Sequence, residues 1–249
     1  MPVRPDDLDP AYSLLCGDDG TVLARLLLRD EEAEAVRPSP GVPIQRVADQ
    51  ARLDLAGLTL ETPDDGLVAA LGLPLHRAAT ELRRDLAELP APVTLQHGWS
   101  LTEGGWDDDL ASALAAAYPP GHPDSGWTEN DTRQVRAMFD KADPVPPLSP
   151  ACARLVGPDG HSAGHVLCAG PVPWTGYRCA WVLNLGVGSR AQGRGFGWAL
   201  LVHALHGSRT AGLPALALAV TDGNPARRLY DRAGFEPVAR VLTVRLPTG

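Results

Sequence analysis

Apolar and polar positions alternate in blocks along this chain, and after residue 92 the blocks switch between strand and helix rhythm. Val93–Leu101 reads as a strand, Asp107–Tyr118 as a helix with an acidic first turn, and Asn130–Ala142 as a second helix capped by Asn130 or Asp131. Ala151–Val156 and Ala163–Ala169 flank Pro158-Asp159-Gly160, the signature of a hairpin. Cys179–Val187 is a short apolar run, as expected of a buried strand. Gly195–Ser208 then reads as helix, Ala215–Val220 as strand, Pro225–Ala233 as helix and Val238–Leu246 as strand. This order predicts an α/β (α+β) layer fold, a mixed sheet flanked by helices.

The first 92 residues give a weaker pattern. Thr21–Val36, rich in Leu, Ala, Arg and Glu, predicts a helix, and Ala48–Leu60 fits helix or strand. Asp64–Leu71, Gly72, Leu73 and Pro74–Arg77 faintly repeat Asn224–Ala233, Gly234, Phe235 and Pro237–Arg240. Leu89-Pro90-Ala91-Pro92 reads as a linker, dividing the chain into 1–92 and 93–249. Pro144–Pro150 is a second proline-rich connection, either a boundary or a loop over a site.

Composition narrows the class. The chain has 249 residues, 44% hydrophobic and 21% charged, enough to bury a core and too apolar for disorder. It holds no apolar run of spanning length, and its start lacks the apolar segment of a signal peptide, so it reads as cytoplasmic with no membrane partner. Of its 22 basic residues only Lys141 is a lysine, and no glycine cradle precedes it, which excludes a P-loop. Cys16, Cys152, Cys168 and Cys179 have no metal spacing and read as buried small hydrophobes; no metal is expected. Net charge is -8 at pH 7, but residues 179–249 carry 8 basic and 3 acidic side chains, while 93–178 carry 5 and 10. A basic last quarter in an acidic chain points to a local anionic ligand rather than to nucleic acid.

Two stretches carry candidate chemistry. Leu185-Gly-Val187-Gly-Ser-Arg-Ala-Gln192-Gly193-Arg194-Gly195-Phe-Gly197 follows a buried strand and opens a helix. Its glycines allow tight turns that aim backbone amides one way, and the helix adds unpaired N–H groups and its positive dipole end. That combination binds phosphate. In Asn224-Pro225-Ala226-Arg227-Arg228-Leu229-Tyr230-Asp231-Arg232-Ala233-Gly234-Phe235, Asn224 suits a helix cap and Gly234 a left-handed stop. Ala226, Leu229, Tyr230 and Ala233 share one face, which turns the Tyr230 hydroxyl inward.

Together these stretches resemble the GNAT superfamily of acyl-CoA-dependent N-acyltransferases. Gln192 through Gly197 matches the family's Arg/Gln-x-x-Gly-x-Gly/Ala loop. Asn224, Leu229, Tyr230, Gly234 and Phe235 stand in register with its second motif, with Arg227 where alanine is usual. The resemblance is strong over 179–246 and looser over 93–178. It implies a GNAT-type fold for 93–249 and acetyl-CoA as co-substrate. It further implies direct attack of a primary amine, on a small molecule or peptide, on the thioester. By this resemblance Leu185 and Val187 offer backbone groups to pantetheine, and the Val187 N–H polarises the thioester carbonyl. Gln192, Gly193, Arg194, Gly195 and Gly197 hold the pyrophosphate, Asn224 contacts the CoA arm, and Tyr230 acts as general acid. Relatives often carry a glutamate in the fourth strand, whereas Cys179–Asn184 has no carboxylate. Glu103, His122, His165 and a water chain are the alternatives for a base.

Other readings stay open beside this one. A longer acyl donor, or a non-catalytic acyl-CoA sensor, would use the same motifs. Gly186-x-Gly188-x-x-Ala191 also fits a dinucleotide fingerprint, but Asp222 lies too far along and too little chain follows it. His203 and His206 are three apart on a helix with no further ligand evident, and read as packed or surface histidines. Residues 1–92 read either as a degenerate, truncated GNAT-like half or as an unrelated helical extension, without chemistry of their own.

Overall fold

The computed structural model describes residues 3–29, 31–124, 126–143 and 145–248. Pro144, which opens the second proline-rich connection, lies outside them. The chain divides into two compact units, residues 1–81 with 238–249, and residues 82–237.

The first unit is a sheet with two helices. Strands β1 (Val3–Pro5), β2 (Ser13–Cys16), β3 (Val22–Arg29) and β4 (Glu32–Pro38) pair antiparallel in sequence order. Helix α1 (Ile44–Asp54) crosses to β5 (Thr59–Thr62), parallel to β4. Helix α2 (Asp65–Leu71) follows, capped by the Asp64 carboxylate on the Leu67 N–H at 2.9 Å and stopped by left-handed Gly72; β6 (Leu75–Asp85) comes next. The helix expected over Thr21–Val36 is therefore two strands. Its Leu, Ala and Arg favour helix locally, but Leu23, Leu26, Ala33 and Val36 are buried in the core that α1 and α2 cover. Tertiary pairing overrides a weak propensity here.

The second unit begins with the end of β6. Its further elements are β7 (Ser100–Thr102), α3 (Asp108–Ala117), α4 (Glu129–Lys141), β8 (Ala153–Val156), β9 (Ser162–Ala169), β10 (Ala180–Val187), α5 (Phe196–Thr210), β11 (Ala215–Thr221) and α6 (Arg227–Arg232). The final strand is β12 (Glu236–Arg245). Within this unit the strand order is β11-β10-β9-β8-β7, with only β10 and β11 parallel. Buried Leu110, Leu114, Leu155, Val166, Leu200, Leu201, Leu205 and Leu216 fill the core between sheet and helices. The expected strand Val93–Leu101 shortens to Ser100–Thr102, because residues 93–98 make no ladder. Helix α4 is capped by Thr128 in a capping box with Asp131, two residues before the expected Asn130 cap.

The units do not divide at the proline-rich linker. The chain crosses between them within β6, after Glu81, and again after Pro237. Strand β12 pairs antiparallel with β5, Leu242 against Thr62 through Arg245 against Thr59, which places residues 238–249 with the first unit. Leu82 and Leu86 meanwhile sit in the second core, where the Leu86 N–H bonds the Pro214 carbonyl at 3.0 Å.

Both units repeat one order of elements. Three antiparallel strands lead to a helix, a strand parallel to the third, a short helix, a left-handed glycine and a last strand. Each parallel pair lasts two residue pairs, Glu32–Thr59 and Ala33–Leu60 in one unit, Ala180–Leu216 and Trp181–Ala217 in the other. In the first unit the parting is bridged: the fully buried Thr62 hydroxyl donates to the Val36 carbonyl at 2.7 Å and accepts the Asp64 N–H at 3.1 Å. Counting from the paired residues, Ala219 stands where Thr62 does, with no hydroxyl to bridge. Replacing Thr62 with Val keeps the shape and strands a buried carbonyl and N–H. Denaturant unfolding should show a loss of about 1–3 kcal/mol; unchanged stability would mean the bridge contributes nothing.

Candidate functional site

The site grows from the edge that β10 and β11 leave open. The Gly188 N–H bonds the Ala163 carbonyl at 2.9 Å on the β9 side. Bonded and non-bonded positions alternate along an antiparallel pair. Leu185 and Val187 therefore turn their N–H and C=O groups away from β9, to the side where β11 has parted. The Leu185 carbonyl accepts the Tyr118 hydroxyl at 3.3 Å, and the Val187 carbonyl accepts Gln192 Nε2 at 2.9 Å. The Val187 N–H points the same way as its carbonyl.

Beyond β10 the chain makes one 3-10 turn, Ser189–Ala191, and then the glycine loop. Gly193 and Gly195 have φ of 75° and 81°, which L side chains rarely adopt. A Cβ at either would meet no protein atom within 4 Å, so the space beside the loop is open. Gly195 precedes α5 without a side-chain cap, leaving the first-turn N–H groups of a 15-residue helix to whatever binds there. Gly197 has ordinary helical geometry, and a Cβ there would touch Leu229 at 3.6 Å, so the start of α5 adjoins α6. The Arg194 guanidinium bonds Gln96 at 2.5 Å and lies over Trp99 and Phe196, leaving its backbone at the loop.

Across the opening, Asn224 is buried and uses both ends of its amide. Its Oδ1 accepts the Ala226 N–H at 2.8 Å, capping the turn into α6, and its Nδ2 donates to Asp124 at 2.6 Å. Tyr230 is buried on α6 with its ring edge-on to Phe235. Burial, then the neighbouring Tyr118, Asp124 and Cys168, raise its hydroxyl pKa well above the ordinary value, so it remains a proton donor. Tyr118 and Asp124 belong to the segment after α3, which the sequence offers as a stiff loop, either a plain connection or one that closes over an acceptor. The signal was thin: one aromatic at a helix end and one carboxylate among prolines.

The three candidate bases are not gathered at one place. Fully buried His165 bonds Asn184 through Nε2, and its Nδ1 has no partner among the described residues. Burial pulls its pKa down to about 4, against the opposing bond to Asn184. His122 accepts the Asp124 backbone N–H on Nδ1 at 3.2 Å, which ties up the lone pair a base would use. Glu103 lines a cavity of about 570 Å³ with Phe139, Pro146, Pro147 and Cys152. His203 and His206 bond the carbonyls of Cys152 and Pro90, and no cluster able to hold a metal occurs among the described residues. All four cysteines are buried and form no disulfide among the described residues, and no helix among the described residues is long and apolar enough to cross a membrane.

A sequence profile described as the acetyltransferase (GNAT) family matches residues 109–235. The chain is 34% identical over 181 residues to a mycothiol acetyltransferase of Thermomonospora curvata, covering 70% of this chain and 56% of that protein. It spans about half the length of the curated relatives it matches. A crystal structure of a GCN5-related N-acetyltransferase from Sphaerobacter thermophilus superposes with a TM-score of 0.67 at 18% identity, over 98% of this chain and 84% of that one. A tandem GNAT protein from the clavulanic acid biosynthesis pathway gives 0.58 at 18%, over 99% and 86%. At these identities the two structures speak for the fold.

The His165 environment sets a pH dependence of stability. Its imidazole ordinarily titrates near 6.5 and in the folded chain near 4. Between those values the unfolded chain takes a proton that the folded chain refuses, so stability falls as pH drops from 6.5 to 4, by up to about 3 kcal/mol. Denaturant unfolding across this range, compared with His165→Asn, should show the variant lacking that share of the decline. Parallel curves would mean His165 is not held neutral.

Proposed function

The chain belongs to the GNAT family of acetyltransferases, and from that premise we propose that it moves an acetyl group from acetyl-CoA to a primary amine. The observation that carries this reading is the cradle itself: two left-handed glycines beside open space, at the uncapped start of α5, next to a parted strand edge. The N–H groups from Gln192 to Gly197 suit a pyrophosphate. Leu185 and Val187 offer the backbone edge along which a pantetheine arm would run, and Asn224 borders that path.

The chemistry asks little of side chains. The Val187 N–H donates to the thioester oxygen as it gains charge; one such donor is typically worth about 2.7–4 kcal/mol. The nitrogen–carbon bond forms and the carbon–sulfur bond breaks. Tyr230, kept protonated by burial, gives its proton to sulfur, and a proton from the attacking nitrogen passes through water to restore it. A small-molecule acceptor is favoured over a peptide, because the curated relatives are named for mycothiol. The first unit is best read as a truncated, degenerate half without chemistry. It repeats the element order, its parting is bridged by Thr62, and Pro38, one residue before Ser39 as Val187 is before Gly188, has no N–H to donate. One observation favours a binding-only reading: β10 carries Asn184 and no carboxylate.

Release of CoA from acetyl-CoA against an amine panel, with product identified by mass, tests transfer; binding without release would support the sensor. Gly195→Glu adds bulk at a left-handed position and a negative charge beside the phosphates. Calorimetry should show acetyl-CoA affinity collapsing in a folded protein, and unchanged affinity would place the cofactor elsewhere. Tyr230→Phe should lower kcat by roughly 10²–10⁴, with the acetyl-CoA KM nearly unchanged. The reverse pattern would make the tyrosine a binding or packing residue.

A further inference from the structure

Resting on the transfer reading above, we propose that Asp124 is the anchor for the acceptor's ammonium group, which makes the acceptor a cationic amine. After α3 the His122 N–H bonds the Pro119 carbonyl at 3.0 Å, turning residues 119–122, and the Trp127 N–H bonds the Tyr118 carbonyl at 3.2 Å. This turn carries the Asp124 carboxylate to the start of α6, 2.6 Å from Asn224 Nδ2. Three elements meet there: the turn with Tyr118 and Asp124, β10 with the Leu185 carbonyl under the Tyr118 hydroxyl, and α6 with Tyr230. The carboxylate acts electrostatically on both tyrosines, and its hydrogen bond to Asn224 holds it at the turn that leads into the helix of Tyr230.

The charge at this position lacks a cation. The groups facing Asp124 are Tyr118 and His122 from its own turn, and Asn224 and Tyr230 from the start of α6. Among the described residues neither an arginine nor a lysine pairs with it. His122 Nδ1, 3.8 Å from the carboxylate, accepts the Asp124 N–H, so the imidazole does not donate from that nitrogen. The Asp124 side chain is 27% exposed, so it is largely shielded yet still reachable at a site that must admit a second substrate. A carboxylate offers about four lone-pair directions, and the Asn224 amide takes one. An acceptor ammonium completes the set: it neutralises the charge and its N–H groups fit the remaining directions; it then gives one proton to water, and the neutral nitrogen, still donating an N–H to the carboxylate, attacks the thioester carbon.

Asp124→Asn separates an anchor from a tether, because an asparagine oxygen still accepts from Asn224. The probes are glucosamine, S-methylcysteine amide and spermidine as primary amines, with O-methylhydroxylamine as a nucleophile uncharged at pH 7.5. For each primary amine that the wild type acetylates, the variant's KM should rise about 10–100-fold, the usual worth of a bond to a charged group. Its kcat, its acetyl-CoA KM and its melting temperature should stay near wild type, the O-methylhydroxylamine rate should change less than about threefold, and Asp124→Glu should recover part of the loss. Equal losses for charged and uncharged nucleophiles, a raised acetyl-CoA KM, or no change would overturn the assignment. A wild type that acetylates none of the probes while binding acetyl-CoA overturns the transfer reading, and the anchor with it.

Discussion

The parting of β10 from β11 after two residue pairs is the constraint on which the rest of the second unit depends. A parallel pair that stops leaves backbone N–H and C=O groups facing no strand, and such groups cost free energy unless something bonds them. The unit resolves this in pieces. Gln192 takes the Val187 carbonyl, Tyr118 takes the Leu185 carbonyl, and the N–H groups on that edge face the open side. An edge half satisfied by its own side chains and half open suits an extended amide-bearing ligand, because the ligand supplies the missing ladder.

The first unit shows the same parting under a different resolution. One threonine hydroxyl spans it, and a proline removes the donor that would otherwise face the gap. Nothing then needs to enter. The contrast between Thr62 and Ala219, one hydroxyl at matched positions, separates a strand edge that closes on itself from one that remains available. A shared order of strands and helices therefore fixes where a site can form, and a few side chains decide whether it does.

The second unit was legible because local signals and tertiary roles agree there. Gly193 and Gly195 need left-handed conformations, Asn224 caps, Gly234 stops a helix, and residues 180–187 and 215–221 are apolar because both faces are covered. The first unit was hidden where they disagree. Residues 21–36 carry helix-favouring composition, and buried Leu23, Ala24 and Leu26 give no clean alternation to betray the sheet, because the register shifts between Arg25 and Leu27. The unit boundary was hidden for another reason. Prolines at 90 and 92 mark a stiff connection, whereas membership in a unit depends on which strand pairs with which, and β12 finds its partner in β5, more than 170 residues earlier. Long-range pairing leaves no local trace.

The site's polar residues fall into two electrical classes, and the division bears on how the chemistry could run without a strand carboxylate. On the β9–β10 side, fully buried His165 bonds half-buried Asn184 and stays neutral across the physiological range. A charged base at that depth would lose solvation without a compensating cation. On the loop side, Asp124 remains partly exposed, and burial together with its charge holds the protons of Tyr118 and Tyr230. Negative charge there makes loss of the Tyr230 proton harder at rest. Burial and this neighbouring charge act in the same direction, so Tyr230 keeps its proton without help from a strand carboxylate.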